Sequence, residues 1–178
     1  MELERKYAGA EVALGGDARI EGYASLFGAA DQGGDAVAPG AFAASLARFG
    51  AAGRRVRMLW QHDPAQPIGV WEELREDARG LFVKGRLLTE VARGREAAAL
   101  LRAGAIEGLS IGYRTVQAER RGAGRVLTEV ELWEVSLVTF PMLPSARVAA
   151  KEDGTAEALR ALAEGFRAAR AALGETRE

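Results

Sequence analysis

The 178-residue chain contains no cysteine and a single histidine, His62. Without thiols there can be no disulfide, no thiolate zinc site and no thiol nucleophile. One histidine with no cysteine also argues against a metallohydrolase, so no metal or other cofactor is expected. A net charge of −1 argues against nucleic acid as the main partner. Lysine is scarce as well, at positions 6, 84 and 151, so arginine supplies nearly all the positive charge. No apolar run reaches the roughly 18 residues of a membrane-spanning helix. The opening "MELERKYAGAE" has no apolar signal-peptide core. The expectation is a cytoplasmic protein with no membrane partner.

What is present reads as a mainly β body with inserted helices (α+β). "ARIEGYASLFG" (18–28) is strand-like, and 29–40 is a glycine-rich acidic loop. A short helix is expected over 41–49, after Pro39, and a strand over 54–62. Residues 68–76 and 80–88 form a hairpin around "DARG". A helix over 90–105 stops at Gly104. Two long strands follow, 106–121 and 125–140, joined by "GAG". The pattern suggests a barrel or sandwich with helical decorations. After residue 150 the character changes. Residues 151–178 read as a helical tail in which Leu159, Leu162, Phe166, Ala169 and Leu173 make a narrow apolar stripe. The stripe packs on the body or pairs with a partner helix. The expected division is 1–150 for the body and 151–178 for the tail.

Ser110 stands out in "IEGLSIGY" (106–113). Alternation along a strand puts Gly108, Ser110 and Gly112 on one face and Leu109, Ile111 and Tyr113 on the other. Either the glycines leave room for a substrate backbone beside a nucleophile, or another element crosses the strand closely there. "GLSIG" also fits the Gly-x-Ser-x-Gly elbow, but an elbow opens a helix and its histidine follows the serine. Here the strand continues and no histidine follows. A serine nucleophile needs a base, and imidazole is the usual one. That base can only be His62, at the end of the row Val56, Met58, Trp60, with Pro64 expected to stop the strand just beyond. The alternative is a hydrogen-bonded histidine at a strand end. In "VELWEVSLVTF", Glu134 shares a face with Val130, Leu132, Ser136, Val138 and Phe140. A carboxylate among apolar neighbours needs a charge partner, which an imidazole or a rim arginine supplies. Asp63 competes for the role but, adjacent to His62 in a strand, points the other way.

Taken in order, "GYASLFGAADQGGDAVAPGAF", "LWQHDPAQPIGVW", "GLFVKGRL", "GLSIGY" and "LWEVSLVTFPMLPSA" resemble the tailed-phage prohead protease family, as found in phages, prophages and gene transfer agents. The resemblance spans roughly residues 18–148. It implies a β-barrel surrounded by helices, related in fold to the herpesvirus maturation proteases. It also implies a serine endopeptidase that trims the scaffold segment of the major capsid protein inside immature capsids (proheads). The family's histidine falls on His62 and its serine on Ser110. The herpesvirus enzymes use a second histidine, which this chain lacks, so the third member is taken as Glu134. Arg114 is a candidate for positioning substrate, and the tail for delivering or dimerising the enzyme. A non-catalytic capsid-assembly or scaffold-binding protein of the same fold is the alternative.

Overall fold

The computed structural model describes residues 4–8, 13–14 and 18–140, apart from 32, 53, 54 and 107. The tail and its expected boundary at 150 lie outside the described residues. In chain order the elements are β1 (Glu4–Ala8), β2 (Ala13–Leu14), β3 (Arg19–Leu26), β4 (Ala36–Val37), α1 (Ala43–Ala52), β5 (Arg57–Trp60), β6 (Asp63–Glu76), β7 (Gly80–Leu87), α2 (Ala92–Arg102), β8 (Gly108–Arg121) and β9 (Gly124–Val138).

The strands form one sheet in the order β1-β8-β9-β5-β6-β7-β3-β2, with β4 added to β9. Its hairpins have local causes. At the β6–β7 turn, Asp77 Oδ1 accepts the N–H groups of Arg79 and Gly80 at 2.9 and 3.2 Å. This is the aspartate-centred turn that "DARG" favours. At the β8–β9 turn Gly122 takes φ +62, the left-handed conformation that tight hairpins require. Two pairings are parallel, β5 with β9 and β4 with β9. The sheet curls until β3 lies near β1 and β8, giving a half-barrel with two helices on it.

The pairing register sorts the two faces of the strands around the site. Leu109 pairs with Leu137, Ile111 with Val135, and Met58 with Val135. These side chains are essentially fully buried and form the inner face, each contributing about 1.5–3 kcal/mol by leaving water. Trp71 closes the same region, its indole N–H donating to the Val135 carbonyl at 3.3 Å. Where β9 runs beyond its pairing with β5, the segment leading into α1 and the first turn of α1 take over its backbone donors. Val130 N–H bonds the Ala41 carbonyl at 3.0 Å, and Leu132 N–H bonds the buried Ser45 hydroxyl at 2.9 Å. Helix α2 buries Gly94, Ala97, Ala98 and Leu101, a stripe with helical spacing.

Several boundaries differ from the sequence reading. The expected loop 29–40 contains β4. The strand expected over 54–62 is only β5, and the one expected to reach Phe140 ends at Val138, leaving Phe140 82% exposed. Pro64 does not stop a strand: β6 starts at Asp63 and contains both Pro64 and Pro67. The chain instead breaks at Gln61 and His62, which adopt φ +51 and +63.

Candidate functional site

The break after β5 is what delivers the histidine. Two consecutive non-glycine residues in the left-handed region cost roughly 1–2 kcal/mol each. Neighbouring bonds offset this. Gln61 N–H donates to the Leu137 carbonyl at 2.9 Å. The Gln61 side chain donates to Thr139 Oγ1 at 2.6 Å and accepts Thr139 N–H at 3.4 Å. His62 N–H donates to Ser136 Oγ at 3.3 Å. Instead of continuing the Val56–Met58–Trp60 row, His62 is therefore turned toward the other face of β9.

That face carries the remaining polar residues. Ser110 on β8 pairs directly with Ser136 on β9, and Gly112 pairs with Glu134. Paired residues share a face, so the serine, the glutamate and Ser136 project together. The Ser110 hydroxyl lies 2.6 Å from His62 Nε2, and His62 Nδ1 lies 2.5 Å from Glu134 Oε1. A carboxylate only accepts. Glu134 therefore holds the ring proton on Nδ1 and leaves Nε2 as the acceptor for the serine proton. The second carboxylate oxygen, Oε2, accepts the Ser136 hydroxyl. All four residues are buried: His62 is 6% exposed, Glu134 4%, and the two serines 0%.

Gly112 settles part of the question raised by the glycines around Ser110. A Cβ at this position would stand 2.7 Å from Glu134 Cδ and 2.8 Å from Cγ, and closer still to Oε1. The glycine is there because the Glu134 side chain crosses the strand. At this position it makes room for the carboxylate.

The structure thus brings together His62, Ser110 and Glu134. It places the other two candidates elsewhere. Asp63 Oδ1 accepts Ala65 N–H and its Oδ2 accepts the Gln66 side chain, both at 2.8 Å, so it caps the start of β6. Arg114 lies past a bulge, because the register shifts between Gly112 and Tyr113. Its guanidinium is half-exposed and paired with Glu131 at 2.7 Å. The sequence alone gives Ser136 no role. Its place on the Glu134 face was visible there, but its bonds depend on the His62 turn, which alternation does not predict. Among the described residues no three potential metal ligands cluster.

Residues 6–160 match the caudovirus prohead serine protease family, and the chain belongs to that family. It is similar to the prohead protease of Enterobacteria phage HK97, with 34% identity over 147 residues. That alignment covers 79% of this chain and 64% of the phage protein, so the chain spans a little under two thirds of its relative's length. It also shares its fold with the bacteriophage T4 capsid assembly protease, at a TM-score of 0.65 and 16% identity. That match covers 79% of this chain and 98% of the other.

Proposed function

We propose that the chain is a serine endopeptidase that processes the scaffold segment of the major capsid protein during prohead maturation. The observation that carries the reading is the unbroken hydrogen-bonded line from Ser110 through His62 to Glu134. Family membership and the names of the HK97 and T4 relatives support a protease of prohead and capsid assembly, and the scaffold segment as substrate rests on the family resemblance.

In the proposed mechanism, Ser110 Oγ attacks the scissile carbonyl carbon as its proton passes to His62 Nε2. Glu134 holds the imidazole in the required tautomer and faces the cation that forms. His62 then gives the proton to the departing amine, leaving an acyl-serine. Water attacks the acyl carbon, again with His62 as base, and releases the new carboxylate and free Ser110. Ser110 is fully buried in this structure. Arg114 would touch substrate only by exchanging Glu131 for it.

The finer readings rest on the family resemblance. They are a barrel of the herpesvirus-protease type, with a glutamate where those enzymes place a second histidine, and action inside the prohead. The tail, 151–178, is proposed to deliver or dimerise the enzyme. The test is co-expression with the capsid protein precursor, followed by mass spectrometry of the fragments. Wild type should release the scaffold segment and Ser110→Ala should not. Equal cleavage by the two, with Ser110→Ala folded, would remove Ser110 as the nucleophile.

A further inference from the structure

The proposed reaction uses three side chains, yet four polar residues are buried together. Ser136 is fully buried, and its single oxygen serves two partners. It accepts the backbone N–H of His62 at 3.3 Å and donates its proton to Glu134 Oε2. We infer that Ser136 is a positioning residue that ties the main chain of the base to the carboxylate of the acid. This rests on the triad proposed above.

A serine hydroxyl has one hydrogen and a carboxylate has none to give, so the hydrogen must go to Oε2. Ser136 is the donor to that oxygen among the described residues. With Oε2 engaged, Oε1 is the oxygen left to face Nδ1, at 2.5 Å. The lone pairs of the same hydroxyl hold the N–H of a residue at φ +63, a conformation that persists only where the surroundings impose it. The backbone position of His62 and the rotation of the Glu134 carboxylate are thus set by one atom. The backbone that carries that atom is held on both sides, since Ser136 pairs with Ser110 on one side and with Leu59 on the other. Glu134 and Ser136 are two residues apart on one strand and share its face, so β9 delivers the acid and its support in one register.

The test uses the full chain with 15N-labelled histidine. His62 is the only histidine, so its ring proton signal belongs to one site. In Ser136→Ala, folded by circular dichroism, the His62 Nδ1 proton should move upfield and exchange faster with solvent. Capsid-precursor cleavage should fall about 10- to 100-fold in kcat with KM unchanged, the factor expected for losing one hydrogen bond to a charged group. Should Ser136→Ala not fold, Ser136→Cys carries the test, since it fills the same space with a poor donor and should give the same two changes. A folded Ser136→Ala or Ser136→Cys protein with wild-type ring signal and wild-type rate would overturn the inference. Ser110→Ala separates this from failure of the triad: if Ser110→Ala still cleaved, the nucleophile would be wrong, while the ring signal, which needs no turnover, would still report on Ser136.

Discussion

Replacing Gly112 with alanine tests whether the glycine exists to seat Glu134. The added Cβ would lie 2.7 Å from Glu134 Cδ and 2.8 Å from Cγ, distances that real Cβ contacts essentially never reach. The backbone cannot move aside easily, because Gly112 is paired with Arg5 on one side and with Glu134 on the other. The glutamate must therefore leave its rotamer, and it loses both the His62 bond and the Ser136 bond. Hydrogen bonds to charged groups contribute about 1.5–3 kcal/mol each, so losing two should cost roughly 3–6 kcal/mol, less whatever the displaced carboxylate regains from water. Without its acid the imidazole loses its fixed tautomer. In a serine–histidine–aspartate triad that defect lowers kcat by about 10⁴-fold. A fall on the order of 10²–10⁴-fold is expected here, with KM little changed. Urea unfolding measures the first quantity, and the rates of capsid-precursor cleavage and fluorophosphonate labelling measure the second. A Gly112→Ala protein of wild-type stability and wild-type labelling rate would show that Glu134 does not need the space, and the reasoning would fail.

Other perturbations separate the roles. His62→Ala should abolish cleavage with the fold intact, whereas Glu134→Gln should leave a small measurable rate; full activity in Glu134→Gln together with loss in Asp63→Asn would transfer the acid role to Asp63. Arg114→Ala should raise KM and leave kcat if the arginine exchanges Glu131 for substrate, and an unchanged KM would reduce it to a surface ion pair. Asp77 is held at a pKa of about 2, against an ordinary 3.8, mainly by the Tyr23 hydroxyl and then by the Arg79 N–H. A lowered folded-state value means that its stabilisation is full above about pH 4 and is lost as pH falls through about 2. Asp77→Asn should therefore lower stability at pH 7 and make acid unfolding less steep, and identical acid titrations of the two proteins would contradict this. Truncation after Ala150 should leave a folded, label-reactive protein that enters capsid precursors poorly; aggregation of the truncated protein would mean that the tail stripe belongs to the core.

Much of the site was legible because β8 and β9 obey simple alternation where it matters. Ser110 and Gly112 are two residues apart, as are Glu134 and Ser136, so each pair shares a face before any register is known. Two features were not legible. The first is the parallel pairing of β5 with β9, which joins strands more than 70 residues apart and leaves no local mark. The second is the left-handed turn at Gln61 and His62. Neither residue is glycine, and the cause lies in Ser136 and Leu137 on a strand distant in sequence and in Thr139 just past its end. Alternation consequently placed His62 in the apolar row with Met58, whose side chain lies on the inner face.

The turn at Gln61 and His62 bears on how the site is built. A histidine continuing the β5 row would have lain on the same face as Met58, among apolar side chains, with no carboxylate to receive its Nδ1 proton. The strained turn moves it to the opposite face of β9, where the register has already assembled Ser110, Glu134 and Ser136. The strain is confined to two residues and is held by bonds to the same strand that carries the acid. Any movement of β9 that displaces Glu134 must then also disturb the turn that presents His62. The proposed base and acid are thus both tied to β9, and Ser110, on the neighbouring strand, is placed beside them by its pairing with Ser136.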